Sequence, residues 1–322
     1  MKIAAPKSAA KTQSPSTTLK LTERRTLSVA DPVQKGRPAF VSSASGLVKV
    51  NGRFWVAPDD DNHLASFPGS GKGDGEFHRV KKGWLPLGTA ERKAVKPDFE
   101  SLAALPASKS WPNGALFAFA SGSKPTRQTA VLQPVGADGL PSGKPKLIDL
   151  APLFESLRGK VKELNIEGLA VLPDRIRLLQ RGNNGTGENA IVDLDRSKVF
   201  EALEKGRPLD ASMISSVLPM SLGKVNGVKL CFSDAAPLPD GRLVFSAIAE
   251  DTTSAYADGL FKGAAVGVMG LDGKISGLTS VPDHKIEGLH AETDAGGIRL
   301  FMVVDADDPL KASPLLEARL PG

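Results

Sequence analysis

Short apolar runs alternate with turns along nearly the whole chain from residue 19 onward. Most runs are too short for a helix and end at Gly, Pro, Asp or Asn, residues that favour turns. The best helix candidates are 151–159 and Arg196–Lys205, and in the second the apolar residues fall at helical spacing. With 33 glycines and 24 prolines among 322 residues, the pattern predicts an all-β fold with two helical insertions.

A short motif recurs five times: a small or apolar residue, then Ser or Glu, then any residue, and usually Leu. Each copy begins an apolar strand, which is followed by a turn and a second, almost continuously apolar strand. Successive copies lie about 54 to 67 residues apart, a spacing that suits the blades of a β-propeller. The copies are Ala44-Ser45-Gly46-Leu47, Phe99-Glu100-Ser101-Leu102, Ile166-Glu167-Gly168-Leu169, Phe232-Ser233-Asp234-Ala235 and Ile286-Glu287-Gly288-Leu289.

The last repeat is too short for a complete blade, because the chain after Glu287 has room for about three strands. The segment 19–29 reads as a strand and would complete that blade, closing the ring without an open sheet edge. We therefore predict a single five-bladed β-propeller over residues 19–322, preceded by a disordered tail at 1–18. A six-bladed ring and an irregular pair of β-sandwiches are the alternatives.

Composition narrows the possible partners and compartments. The net charge is +5, but no arginine-rich run is interleaved with aromatic residues, so nucleic-acid binding is not expected, whereas a small anionic ligand is. The single cysteine, Cys231, excludes an intramolecular disulfide and a multi-cysteine zinc site. No apolar run is long enough to span a membrane. We expect a monomer, cytoplasmic by default and secreted or periplasmic if a signal was removed.

The motif residues are the main candidates for a metal site. Inner strands of a propeller begin at the same end of the central channel, so one polar side chain from each blade should meet near the axis. Three carboxylates so close together must be protonated, paired or bridged by a cation, and oxygen ligands favour Ca²⁺ ahead of Mg²⁺. The alternative is that they cap loop amides or hold a channel water. The predicted ligands are Ser45, Glu100, Glu167, Ser233 and Glu287.

The loops after the second strands should surround this site at the channel mouth. Among them Asp59 and Asp60 could orient or deprotonate a water molecule, and Arg181 could stabilise developing negative charge. Basic groups in the same loops could hold phosphate oxygens, although acidic loop ends are also common turn formers. The predicted substrate-binding residues are Asp61, Lys124, Arg127, Asn183, Asn184, Glu250, Asp305 and Asp307.

The order Ser, Glu, Glu, Ser, Glu, one per repeat, resembles the soluble calcium-activated nucleotidases, or apyrases. The run FWVAPDDD from Phe54 to Asp61 is similar to the strand and acidic loop after that family's first motif. The resemblance implies a five-bladed propeller with an axial calcium ion. The loop Gln180 to Gly185 does not match the family's third-blade arginine pair, and Glu167-Gly168-Leu169 also resembles bacterial esterase-like or phytase-like propellers.

Three functions remain open on the sequence. The first is a metal-dependent hydrolase of a phosphate ester or anhydride. The second is a non-catalytic ligand- or protein-binding propeller whose cation only locks the ring. The third is a lactonase- or esterase-like propeller that uses the metal as a Lewis acid.

Overall fold

The structure, a computed structural model, is a five-bladed β-propeller, so the predicted fold class and blade count are confirmed. It describes residue 15 and residues 17–71, 73–254, 259–306 and 308–320. The predicted tail at 1–18 therefore lies almost wholly outside the described residues. Each blade is a four-stranded antiparallel sheet, and the innermost strands contact one another in a closed circle.

The first strand of the chain, β1 (Thr22–Thr26), belongs to the last blade. Blade 1 consists of β2 (Ala44–Val50), β3 (Arg53–Pro58), β4 (His63–Pro68) and β5 (Glu76–Arg79). Blade 2 consists of β6 (Phe99–Leu105), β7 (Ala115–Ala120), β8 (Thr129–Pro134) and β9 (Lys146–Asp149). Blade 3 consists of β10 (Ile166–Val171), β11 (Arg175–Gln180), β12 (Asn189–Asp195) and β13 (Ile214–Met220).

A small hairpin of β14 (Lys224–Val225) and β15 (Val228–Lys229) separates the third and fourth blades. Blade 4 consists of β16 (Cys231–Pro237), β17 (Leu243–Asp251), β18 (Leu260–Met269) and β19 (Ile275–Val281). Blade 5 consists of β20 (Ile286–Asp294), β21 (Gly297–Val304), β22 (Pro314–Leu320) and, outermost, β1. The predicted second strands therefore correspond to β3, β7, β11, β17 and β21.

The ring is closed by the N-terminal strand, as predicted. β1 pairs antiparallel with β22 and completes blade 5. The residues on either side of β1 reach the two neighbouring blades: the Leu19 amide donates to the Ser280 carbonyl of blade 4 at 2.9 Å, and Val29 forms a bridge with Gly75 near blade 1. Strands from opposite ends of the chain, β1 and β22, thus lie side by side in the last blade.

Both predicted helices are present, as α2 (Ala151–Arg158) and α3 (Arg196–Lys205). Asp195 caps α3 by accepting a hydrogen bond from the Lys198 amide, and Gly206 ends it in the left-handed conformation. A third helix, α1 (Thr89–Val95), was not predicted. It is short, its N-cap makes no side-chain hydrogen bond, and its buried residue is Arg92, so it carries no apolar stripe.

The hydrophobic core lies between the blades. Every residue of β7 is buried, because neighbouring sheets cover both of its faces. The Phe54 and Phe301 rings, 4.8 Å apart between centroids, join blades 1 and 5. Face-to-face stacking therefore explains why the second strands are continuously apolar instead of alternating. Among the described residues, no helix is both long and apolar enough to span a membrane.

Candidate functional site

The five motif residues occupy the same structural position, a β-bulge at the start of each inner strand. In blade 1 the pairing runs from Ala44 opposite Pro58 directly to Gly46 opposite Ala57, so Ser45 has no partner in the ladder. The same shift skips the motif residue in the other four blades. A bulge re-aims the side chain of its extra residue. The sequence motif is therefore the signature of a bulge repeated around the axis.

In blades 1 and 5 the residue after the bulge faces the inner strand of the next blade at close range. A Cβ on Gly288 would lie 2.5 Å from the Ser45 carbonyl oxygen, and one on Gly46 would lie 2.6 Å from the Leu102 nitrogen. Glycine at these two positions therefore lets the inner strands approach closely, which brings the bulged side chains together.

Four of the five predicted ligands line one pocket of about 220 Å³: Ser45, Glu100, Glu167 and Glu287. Ser233 is not among the described lining residues. Its hydroxyl is fully buried, donates to the Ile286 carbonyl at 2.7 Å and contacts the Ser246 hydroxyl at 2.9 Å. Ser233 thus holds the inner strands of blades 4 and 5 together.

A second set of polar residues, two positions before each motif residue, lines the same pocket. In blades 1, 2, 3 and 5 these residues directly precede the inner strand, at the same end as the bulge. This set was not predicted, although its spacing from the motif is constant. Its pocket-lining members are Ser43, Asp98, Asn165 and Lys285. The corresponding residue of blade 4 is Cys231, which is buried and whose thiol has its pKa raised by burial to about 11.

The loops after the second strands contribute to the pocket in every blade, as predicted. The predicted rim residues that line it are Asp59, Asp60, Arg127, Arg181, Glu250 and Asp305. The helix α1 segment also lines it, through Thr89, Arg92, Lys93 and Lys96, and was not anticipated because an insertion between blades carries no repeat signal.

Four other predicted rim residues are placed elsewhere. Asp61 contacts His63 Nδ1 at 2.6 Å and Arg37 at 3.3 Å. Asn183 accepts hydrogen bonds from the amides of two glycines in its own loop. The side chain of Asn184 donates a hydrogen bond to Asp251. Lys124 lies outside the described pocket lining. Asp307 lies outside the described residues.

One half of the pocket, from blades 3 to 5, is a network of ion pairs. The Arg181 guanidinium contacts Glu250 and lies 3.5 Å from Glu167 and 3.9 Å from Glu287. Lys285 lies 3.1 Å from Glu250 and 3.4 Å from Glu287. In this half of the pocket, the motif carboxylates of Glu167 and Glu287 are therefore paired with the cationic side chains of Arg181 and Lys285. Such pairing is one of the three options expected from the sequence. Arg181 faces three carboxylates, which compete with any substrate anion for its guanidinium.

The other half of the pocket, from blades 1 and 2, holds a three-carboxylate group formed by Asp59, Asp98 and Glu100. One oxygen from each lies within 4.8 Å of the others, and the group could hold a metal ion. Lys96 contacts Asp59 and lies 2.8 Å from Asp98 Oδ1, while Arg127 lies 2.9 Å from Asp98 Oδ2. Within the described part of the chain, Glu100 accepts no hydrogen bond from a protein group.

Burial and like charges favour the protonated form of the central glutamates. Burial, followed by repulsion from Asp98, Glu167 and Asp59, raises the pKa of Glu100 well above its usual value. Burial likewise raises the pKa of Glu167 to about 8, against the attraction of Arg181. These carboxyl groups need a proton or a compensating cation near neutral pH.

Asp60, predicted to act on water, behaves differently. Burial alone would raise its pKa, but Arg37, Ser43 and Arg92 outweigh burial and hold the pKa below its usual value. The Ser43 hydroxyl donates to Asp60 at 2.6 Å and Arg92 at 2.7 Å. Asp60 is therefore an ionised, fully engaged carboxylate, which makes it a weak base.

Together the fold and site define a five-bladed β-propeller with a charged pocket at the mouth of its channel. The chain belongs to the family of unknown function DUF6929, whose model matches residues 40–320. A comparison with curated proteins finds no match.

Several solved structures resemble this chain at low identity and with TM-scores below 0.5. One is the PQQ-bound form of aldose sugar dehydrogenase from Streptomyces coelicolor, with 13% identity, a TM-score of 0.46 and coverage of 95% of this chain and 100% of that chain. Another is a hypothetical protein from Leishmania major, with 12% identity, a TM-score of 0.47 and coverage of 93% and 91%.

Proposed function

We propose that the protein is a metal-dependent hydrolase of a small phosphate ester or anhydride, which acts in the pocket at the channel mouth. The observation that carries the proposal is the three-carboxylate group Asp59, Asp98 and Glu100, in which Glu100 accepts no hydrogen bond from the described protein groups. A set of carboxylate oxygens suits a hard cation, with Ca²⁺ ahead of Mg²⁺. Such an ion polarises a phosphoryl oxygen and favours ionisation of a bound water.

The surroundings of the group support an anionic substrate. Arg92, Lys93 and Arg127 line the same pocket as the three carboxylates. A cation and basic side chains on one wall can share the oxygens of a phosphoryl group and stabilise charge that develops on them. The pocket volume of about 220 Å³ suits a small substrate or a single phosphoryl group.

Glu167 is our candidate for proton transfer. It lines the pocket, accepts a hydrogen bond from Asn165 at 2.6 Å, and has a pKa of about 8 because of burial. A group that titrates near neutral pH can both take and release a proton there. Asp59 then serves as a cation ligand, and Asp60 orients Arg37 and Arg92.

The proposal is tested with purified protein and a panel of nucleotides, sugar phosphates and aryl phosphates, assayed for phosphate release with Ca²⁺, with Mg²⁺ and with a chelator. We expect cation-dependent release that is lost in Glu100→Gln. The exposed Glu204→Gln substitution on α3 is the matched control. A panel of lactones and aryl esters runs in parallel. Turnover of those substrates alone, or cation binding with no turnover on either panel, would contradict the proposal.

A further inference from the structure

We propose that Lys96 is an exchangeable counter-ion of the three-carboxylate group. In the cation-free protein its ammonium group occupies the centre of the carboxylates, and it moves into the pocket, towards the anionic part of the ligand, when a divalent cation binds. This inference rests on the cation site of the proposed function and adds a coupling between cation and anion binding.

Lys96 is placed for this role by its backbone and by the reach of its side chain. It directly follows α1, where its amide donates to the Arg92 carbonyl at 2.8 Å, so its main chain is anchored at the pocket wall. Its ammonium contacts Asp59 and lies 2.8 Å from Asp98. Two of the three carboxylates therefore already coordinate a positive charge that the chain itself supplies.

The oxygen that Lys96 contacts on Asp98 differs from the one held by other groups. Arg127 and the Ser121 hydroxyl bond to Oδ2, whereas Lys96 faces Oδ1. Apart from Lys96, the buried Oδ1 has no hydrogen-bond partner among the described residues. Departure of Lys96 would release Oδ1 as a ligand while Asp98 kept its other partners.

An ammonium group and a divalent cation cannot occupy the same centre. The divalent ion has twice the charge, and carboxylate oxygens can coordinate it directly, so it displaces the ammonium when it enters. Lysine carries its charge on a flexible four-carbon stem, which allows a large shift of the ammonium without backbone movement. Because Lys96 lines the pocket beside Lys93, the displaced ammonium remains in the pocket and adds a positive charge to its ligand-facing wall.

Two consequences follow for binding. Lys96 lowers the apparent cation affinity, because only the fraction of molecules with the ammonium displaced is competent to bind. The cation in turn raises the affinity for an anion, and by reciprocity the anion raises the affinity for the cation. The protein would thus hold cation and anionic substrate together more firmly than either alone.

The test is calorimetry at fixed pH and ionic strength on wild type, Lys96→Met and the control Lys124→Met. The control removes the same charge from a lysine outside the described pocket lining. If the ammonium occupies the centre in about nine molecules of ten, Lys96→Met should bind Ca²⁺ about tenfold more tightly than wild type, and Lys124→Met should match wild type. Ca²⁺ should raise the affinity for methylphosphonate, a non-hydrolysable phosphate mimic, by a larger factor in wild type than in Lys96→Met, where only the direct attraction of the cation remains.

A second measurement uses the wild-type protein only, so that it does not depend on the folding of a variant. Amino groups are acetylated briefly with and without Ca²⁺ and the sites are quantified by mass spectrometry. We expect Ca²⁺ to increase acetylation of Lys96 several-fold and to leave that of Lys124 unchanged.

The outcomes separate this inference from the proposed function. Wild type that binds Ca²⁺ with unchanged Lys96 acetylation, or Lys96→Met that binds Ca²⁺ no more tightly than wild type, overturns the exchange and leaves the cation site standing. Absence of Ca²⁺ binding in every variant overturns both. If Ca²⁺ binds to Lys96→Met and not to wild type, the result supports Lys96 as the group that occupies the centre of the three carboxylates. The same result contradicts the proposal that the wild-type protein is a cation-dependent enzyme.

Discussion

The Asp234 carboxylate accepts a hydrogen bond from the Leu289 amide at 2.7 Å, and this bond joins the inner strands of blades 4 and 5. Asp234 directly follows the bulge residue of blade 4, where the corresponding residue of blades 1, 3 and 5 is glycine. Next to it, Ser233 donates to the Ile286 carbonyl of the same neighbouring strand. At this blade junction, polar side chains replace the close backbone approach seen at Gly46 and Gly288.

Two substitutions of Asp234 should distinguish the role of its hydrogen-bond-accepting oxygen from that of its negative charge. Burial raises the pKa of Asp234 well above its usual value, against the amides of Ala235 and Leu289, so the neutral form is favoured. We expect Asp234→Asn to change the free energy of unfolding by less than about 1 kcal/mol and Asp234→Ala to lower it by about 1–3 kcal/mol, because a buried amide loses its acceptor. Urea denaturation measures both, and equal destabilisation by the two substitutions would contradict this account.

Stability should depend on pH through Glu167. Its pKa is about 8 in the folded protein, above the ordinary value of 4.5 for an unfolded glutamate. The folded state therefore binds more protons between these values, so this contribution to stability is complete below about pH 4.5 and is lost as pH rises through 8. In the absence of divalent cations, we expect the free energy of unfolding of the wild type to fall over this pH range by on the order of a few kcal/mol because of Glu167. Glu167→Gln should lack this fall. Thermal melts from pH 5 to 9 measure it, and Glu204→Gln should keep the wild-type slope.

The position of the cation can be tested by comparing two of the predicted ligands. Glu100 lines the pocket with Asp59 and Asp98, whereas Ser233 bonds to the neighbouring strand. At a Ca²⁺ concentration about 100 times the dissociation constant, wild type and Ser233→Ala should each gain about 2.7 kcal/mol of stability, and Glu100→Gln should gain little. A Ca²⁺-dependent thermal shift that is lost in Ser233→Ala and retained in Glu100→Gln would instead favour a different set of ligands.

Closure of the ring should contribute measurably to stability through Leu27. This residue follows β1, is fully buried, and packs with side chains of blades 1 and 5, including Val56 and Val303. We expect Leu27→Ala to lower the free energy of unfolding by about 2–5 kcal/mol, since it leaves a cavity where the two ends of the chain meet. The control is Thr22→Ala on the exposed face of β1, which should stay within about 0.5 kcal/mol of wild type. An equal effect of both substitutions in chemical denaturation would argue against this packing.

Much of the architecture can be predicted from the sequence because the repeat is local. The motif, the turn and the apolar second strand recur in a fixed order, and the shortened last repeat indicates a strand supplied from residues 19–29. The polar set formed by Ser43, Asp98, Asn165 and Lys285 could also have been predicted from the sequence, since each lies two residues before a bulge. Helix α1 could not have been predicted in this way, because an insertion between blades has no counterpart in the other repeats.

The repeat in the sequence is enough to predict which residues begin the inner strands and that several of their polar side chains gather at one end of the channel. Which of these side chains face the pocket, and which groups balance their charge, depends on the folded structure. Ser233 turns to the neighbouring strand, and Arg181, Lys285 and Lys96 pair with carboxylates contributed by other loops and blades. Local periodicity sets the direction of a strand residue, but an ion pair between distant segments depends on ring closure and on side-chain conformations that form only in the folded molecule.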